Sequence, residues 1–337
     1  STLTVSSAAS DVYKRQLLKY FSIIKRIFSM NYYLAPMMGY TDCYFRSLVE
    51  NIYGNSVTTF SEMIVDKAII HNETKTITKH FLKNNKSAIQ IAGSDPEEIK
   101  RTINILNKVD IIKHVNFNLG CPSSRVQENM LGLALTQKYD LVKKCLYELI
   151  KYNKDVSVKC RLGLGMNEDK SYIFDYLKLF NEIGIKKVFI HCRNGVLNLD
   201  TKKNRTIPKI NYNLFLECCD QFPEMELIPN GEVNDLETFK FFQSKNITQF
   251  MIGRQFAKDA FFLEKLDLEN VKKKTASIIN TINELEHYKY LNINLLKKSI
   301  FTALSNISNS KKVKKEISVI NNYSGLLNYF ERNAIWS

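Results

Sequence analysis

The stretch "HVNFNLGCPSSRVQ" (residues 114–127) decides the fold. Val115, Phe117 and Leu119 alternate with polar residues, the period-two pattern of a strand. Gly120, Cys121 and Pro122 end it, because proline has no N–H to give a sheet partner. A thiol therefore sits where a strand stops and a turn begins. For an isolated cysteine the ordinary expectation is a small, buried, apolar side chain. Its surroundings along the chain change that expectation.

Seven further short, β-branched runs flank this one. "YYLAPM" (32–37), "VTTFSEM" (57–63) and "SAIQIAG" (87–93) precede it. "VSVKCRLG" (156–163), "KKVFIHCR" (186–193), "ELIPNG" (226–231) and "QFMIGR" (249–254) follow. Helical patterns lie between most of them. "DPEEIKRTINILNKV" (95–109) opens on an Asp95-Pro96 start signal and puts Ile99, Ile103 and Leu106 on one face. "YDLVKKCLYELIKY" (139–152), "KSYIFDYLKLFNEIG" (170–184, ending at Gly184) and the short "NDLETFKFFQSKN" (234–246) behave alike. Strands alternating with helices imply parallel βαβ units. Eight of them predict an α/β fold of the (β/α)8 TIM-barrel type over residues 30–262. A doubly wound open sheet is the competitor, but it usually carries fewer strands.

In such a barrel the active site forms at the C-terminal strand ends. Here those ends carry Met37, Met38, Glu62, Gln90, Asn118, Cys121, Lys159, Arg161, His191, Arg193, Asn230, Gly231, Gly253 and Arg254. Polar side chains inside apolar strands are costly unless paired or used. One is an ordinary core hydrogen bond; one at nearly every strand end points to function. "PNGEV" and "IGRQF" place glycines where backbone must approach a ligand, at strands seven and eight, the usual phosphate location of this fold. Arg254 offers a bidentate phosphate contact. Ala35, Pro36, Met37 and Met38 form a small edge suited to a flat ring, Gln90 supplies an amide and Lys159 a positive charge. These features fit a flavin, whose electronics are tuned by nearby hydrogen bonds and charge. A cysteine facing it has a use: a thiol donates a proton more readily than a hydroxyl.

The chain has 337 residues, 45% hydrophobic and 24% charged, and a formal net charge of +14. That balance favours a polyanionic partner, nucleic acid first and an anionic membrane surface second. Seven scattered cysteines without a C-x-x-C pair argue against a disulfide framework or a zinc site and suit a reducing cytosol. No metal is expected. No stretch approaches the ~20 apolar residues of a membrane span. Residues 1–29 stand apart: "LLKYFSIIKRIFS" is short, basic and amphipathic, without a signal peptide's apolar core, and Met30 reads as the true start after non-native or disordered sequence. A transit peptide is the other reading of that segment.

The chain resembles the tRNA-dihydrouridine synthases, most closely the bacterial A-type subfamily. The matching stretches are "LAPMMGYTD", "SAIQIAGSDPEE", "VNFNLGCPSSRVQ", "VSVKCRLGLG", "IHCRNGVLNLDTKKNRTIP", "IPNGEV" and "MIGRQF", within about residues 31–262. The resemblance implies FMN in a TIM barrel and a helical domain, 263–337, that grips tRNA. It implies that Pro36, Met37, Met38, Gln90, Lys159 and His191 meet the flavin, and that Asn230, Gly231, Glu232, Gly253 and Arg254 hold its phosphate end. It makes Cys121 the proton donor and Asn118, Lys202 and Arg205 contacts of the target uridine and its tRNA. The implied reaction is hydride transfer from reduced flavin to C6 of a D-loop uracil, at uridines 20 and 20a, with protonation of C5 and re-reduction by NADPH. A cytoplasmic monomer is expected.

Three departures from the family pattern are visible. Gly39-Tyr40 stands where relatives usually have Asp-Trp, Glu232 follows Asn-Gly where a carboxylate near phosphate is unhelpful, and "LGLALTQ" (131–137) lacks one of the usual small residues. Beyond residue 262 the patterns are helical, clearest in "VKKKTASIINTINELEHY" (271–288) and "LLKKSIFTALSNIS" (295–308). "SKKVKKEI" (310–317) stands where the subfamily has an arginine-rich cluster; its Lys311, Lys312, Lys314 and Lys315 can neutralise phosphates, without arginine's bidentate fork. Two rivals remain at this point: an FMN barrel oxidoreductase of the dihydroorotate dehydrogenase type, which needs no basic tail, and a tRNA-binding protein without catalysis, which needs no thiol.

Overall fold

The computed structural model describes residues 30–82, 87–266, 274–288, 291–333 and 335–336. Residues 1–29, and the first three of the helical run that starts at Val271, lie outside the described residues. Eight parallel strands close into a barrel in chain order: β1 (Asn31–Leu34), β2 (Val57–Val65), β3 (Ala88–Ala92), β4 (His114–Asn118), β5 (Asp155–Arg161), β6 (Lys187–His191), β7 (Glu226–Asn230) and β8 (Gln249–Ile252). Closure is made by β1 against β8, with Leu34 opposite Ile252. The (β/α)8 expectation holds. Most strands stop two or three residues short of the runs that announced them; β1 ends at Leu34, ahead of Pro36, which has no N–H to pair.

Asp95 caps its helix as the sequence leads one to expect, and three further aspartates do the same elsewhere. Asp42, Asp95, Asp169 and Asp235 each accept a hydrogen bond from the first turn of the helix that follows. Gly184 closes the helix Lys170–Ile183 at φ 98°, a left-handed conformation glycine adopts without strain. Between β2 and β3 the structure has two short helices, Asp66–His71 and Glu73–His80, that the sequence reading did not contain. Only Asp66 and Ile69 are buried in the first and only Thr76 and Ile77 in the second, so neither carries a long apolar stripe.

The barrel interior is divided. Tyr33, Phe60, Phe189, Ile228 and Met251 fill one half, with the Tyr33 and Phe189 rings edge-on at 4.9 Å. The half formed by β3, β4 and β5 is polar, with Gln90, Asn116 and Ser157 all buried.

Among the described residues, the part beyond β8 holds the helices Lys274–Glu286, Ile293–Ala303, Ser310–Ser318 and Tyr323–Arg332. The first two sit on the helix Cys43–Tyr53 that follows β1, and Ile278, Ile282, Leu285, Leu296 and Ile300 join the core shared with the barrel. Polar contacts fix the seat: Asn51 Nδ2 donates to Glu284 Oε2 at 2.9 Å, and Asn292 N to the Tyr44 hydroxyl at 2.5 Å. Lys298 Nζ donates to Gly39 O at 2.6 Å and lies 5.3 Å from the centre of the Tyr40 ring. The Gly39-Tyr40 departure is therefore where the helical part touches the loop after β1. Among the described residues no helix is long and apolar enough to cross a membrane.

Candidate active site at the C-terminal mouth of the barrel

Four bonds hold the loop bearing Cys121. Asn118 Oδ1 accepts from Gly120 N and Cys121 N, both at 3.0 Å. Leu133 N donates to Cys121 O at 3.0 Å. Arg161 Nε donates to Gly120 O at 2.9 Å. Gly132, at φ 58°, closes this loop, and a Cβ there would lie 2.8 Å from Cys121 O. The Cys121 thiol is half-buried and donates only to Ser123 Oγ at 3.6 Å, so it remains reachable from the mouth. Gly132 and Ser123 were not singled out in the sequence; the turn formed by Met130 at φ 52° and Gly132 becomes visible only with the backbone.

Facing this loop is a group of donors with little to neutralise them. Lys159, from β5, donates to Asn230 Oδ1 at 2.9 Å, and Asn230 Nδ2 donates to Met251 O at 2.8 Å. Burial, and then the charge of Arg161, push the Lys159 pKa down to about 8, while nearby Cys121 is among the groups acting in the opposite sense. It does not snorkel to solvent but points into the mouth. His191 is held neutral: burial, then the charges of Arg161 and Lys159, drive its pKa well down. Its Nε2 is buried and has no hydrogen-bond partner among the described residues. Gly231, at φ 105°, lies against this ring; a Cβ there would come within 2.5 Å of His191 Cδ2. Gly253 packs on Met37, whose sulfur would be 3.2 Å from an added Cβ.

Beyond them, Arg254 is exposed and crowded by Arg205 and Arg193. Arg193 is 1% exposed and ion-pairs with Glu232, while its Nη1 donates to Pro208 O at 2.9 Å. The Glu232 carboxylate thus pairs with a buried arginine, and its charge also acts on Arg254.

The other candidate residues divide. Met38 is 64% exposed at the rim, beside Pro36 and Met37. Gln90 is 1% exposed, with both ends of its amide engaged by neighbours. Asn118 is equally committed, to the Cys121 loop and to Gln90. Lys202 is exposed on a loop organised by buried Asn204, whose amide bonds Val196 and Leu199; Arg205 Nε donates to Thr201 O at 2.8 Å. Lys311, Lys312 and Lys315 are exposed on the helix Ser310–Ser318, and Lys314 is partly so. That helix buries Val313 and Ile317 and turns its basic face outward. Arg161 serves structure as much as chemistry: besides Gly120 O, its Nη1 donates to Asn194 O at 2.8 Å and to Asn204 O at 3.3 Å, tying the two mouth loops together. Among the described residues no group of three or more His, Cys, Asp or Glu is placed to hold a metal ion.

A half-buried ammonium held by an amide oxygen, an imidazole nitrogen that is buried and unpartnered among the described residues, and a cluster of arginines at one end form a site for an electron-rich ring carrying a phosphate. The flavin expected from the sequence fits it.

The family model described as "Dihydrouridine synthase (Dus)" matches residues 33–332. The chain is similar to the tRNA-dihydrouridine(20/20a) synthase of Pseudomonas putida, at 27% identity over 241 residues, 71% of each chain. It is equally similar to the protein of that name from Synechocystis, at 27% over 236 residues, 69% of this chain and 70% of the other. That from Yersinia pestis matches at 27% over 266 residues, 77% and 74% respectively.

Proposed function

The chain belongs to the dihydrouridine synthase family, and from that premise we propose that it is an FMN-dependent tRNA-dihydrouridine synthase that reduces the C5–C6 bond of D-loop uridines 20 and 20a. The observation that carries this reading is the reachable thiol of Cys121 held at the same barrel mouth as the half-buried Lys159 ammonium and the unpartnered His191 nitrogen. When bound, FMN supplies hydride chemistry at C6 of the uracil. The chain does the rest. Lys159 and His191 direct donors at the ring, and Arg254 with the backbone of Asn230, Gly231 and Gly253 receives the phosphate. Cys121 donates the proton that C5 requires. NADPH is the proposed reductant. Residues 30–262 form the catalytic domain and 263–337 the tRNA-binding one, in a cytoplasmic monomer.

The test is direct: unmodified tRNA transcript, enzyme, FMN and NADPH, with dihydrouridine mapped by mass spectrometry of nuclease fragments. Modification at 20 and 20a is expected; a folded, flavin-loaded protein that modifies no uridine sinks the reading. The purified protein should be yellow with one FMN per chain. Arg254→Ala should weaken FMN retention by about 10- to 150-fold, since one charge-assisted contact contributes roughly 1.5–3 kcal/mol; fluorescence titration of the stripped protein measures it.

Binding of tRNA should fall steeply with salt. Each phosphate contact removed lowers the log–log slope by about 0.9 for a duplex-like partner. A variant with Lys311, Lys312, Lys314 and Lys315 all changed to alanine is expected to lose affinity and slope together. Wild-type values for both would reduce that helix face to solvated surface.

A further inference from the structure

Polar side chains inside the barrel form one unbroken row from floor to mouth, and its direction is fixed. Asn118 Oδ1 accepts from two backbone N–H groups, those of Gly120 and Cys121. A backbone N–H only donates, so the other end of that amide must be its NH2. Asn118 Nδ2 accordingly donates to Gln90 Oε1 at 3.0 Å. Gln90 Nε2 then donates to Asn116 Oδ1 at 2.7 Å, and Asn116 Nδ2 to Ser157 Oγ at 2.8 Å. Ser157 Oγ is in turn hydrogen-bonded to His114 Nε2, 2.6 Å away at the N-terminal end of β4. His114 closes the lower end of the row through that ring nitrogen. Its pKa is pushed down to about 3 by burial and then by the charge of Lys187, so the ring is neutral. Reversing the Asn118 or the Gln90 amide would set donor against donor at one end and acceptor against acceptor at the other, and reversing Asn116 would set its NH2 against that of Gln90.

The row is deeply placed. Asn116 and Ser157 are fully buried, on neighbouring strands that pair them in register. The inward layers of this fold are ordinarily branched apolar residues, and the opposite half of this barrel follows that rule. A polar row below the mouth is therefore an expense that packing does not require. Its upper end reaches the backbone of the one residue whose side chain the proposed reaction needs.

We propose that Asn116 and Ser157, with His114 as the terminus of the row, are positioning residues for Cys121: they lock the Asn118 amide in the one orientation that holds the backbone of residues 120 and 121, and so aim the thiol. The functional meaning of that aim rests on the reading above; the locking itself does not.

The first readout needs neither cofactor nor tRNA. Flavin-free protein is treated with iodoacetamide, and the rate at Cys121 is followed by peptide mass, with buried Cys43 as internal reference. Asn116→Leu is expected to raise the Cys121 rate about fivefold, the equivalent of one ordinary hydrogen bond, with no change at Cys43. In the loaded enzyme kcat should fall while KM for tRNA holds. Ser157→Ala should move both quantities the same way by less, and Ser157→Thr, which keeps the hydroxyl, should restore them. The proposal is overturned if Cys121 alkylates at the wild-type rate in Asn116→Leu and Ser157→Ala, whatever happens to thermal stability, or if Ser157→Thr departs as far as Ser157→Ala. If Asn116→Leu does not fold, the two Ser157 variants decide. An altered alkylation rate in a protein whose wild type makes no dihydrouridine would retain the positioning role and discard the assigned reaction.

Discussion

Cys121→Ala is expected to fold, bind FMN and bind tRNA, yet to form dihydrouridine about 10²–10⁴-fold more slowly, the usual cost of losing a positioned general acid. The loop should survive because its anchors are backbone atoms: Cys121 N to Asn118, Cys121 O to Leu133 N, Gly120 O to Arg161. The thiol itself gives up only its contact with Ser123. The donors proposed for the flavin come from β5, β6, β7 and the segment after β8, so the colour should be unaffected. Without a proton for C5, addition at C6 reverses. Cys121→Ser should be nearly as poor, since a hydroxyl is a far weaker acid. Pre-reduced enzyme mixed with unmodified tRNA under anaerobic conditions gives the single-turnover rate. A wild-type rate with normal product would assign the proton to another group or to water, and return Cys121 to the small apolar side chain of the ordinary expectation.

Arg161→Met should damage stability and turnover together. Its guanidinium serves three buried or half-buried carbonyls, Gly120, Asn194 and Asn204. Leaving such groups unpaired costs about 1–3 kcal/mol each. Removing a buried charge returns part of that, because burial, and then the neighbouring Arg193, already pull the Arg161 pKa down to about 10. A net loss of roughly 3 kcal/mol and a fall in melting midpoint on the order of 5 °C follow. Turnover should drop by about 10²-fold, the scale expected when a reacting group is displaced by an ångström. Calorimetry and the single-turnover assay read the two effects. A variant that melts and turns over like wild type would mean that the mouth loops hold their geometry without this tie.

The barrel was legible because eight β-branched runs recur with helical periods between most of them, one of these opened by Asp95-Pro96. The helix pair Asp66–His71 and Glu73–His80 was not, since so few of its residues are buried. The thiol, the glycine turns and Arg254 were legible as residue types out of place in strands. What Arg161, Arg193 and Glu232 do was not: the Arg161–Asn194 and Arg193–Glu232 contacts span 33 and 39 residues, and only closure of the sheet brings the partners together. The polar row was hidden for a related reason. Asn116 and Ser157 look like ordinary polar positions in half-buried strands until register sets them side by side.

The helix Cys43–Tyr53 is at once a wall of the barrel and the seat of the C-terminal helices, and Lys298 fastens those helices to the loop beside Met38. The helix Ser310–Ser318, through Val313 and Ile317, and the barrel that carries the Cys121 loop therefore share one continuous core. Such a frame works as a caliper. On the function proposed above, a polyanion laid along the basic jaw would present to the other jaw whichever nucleotide lies at that span, so length and curvature of the substrate would choose the position modified before any base edge is read.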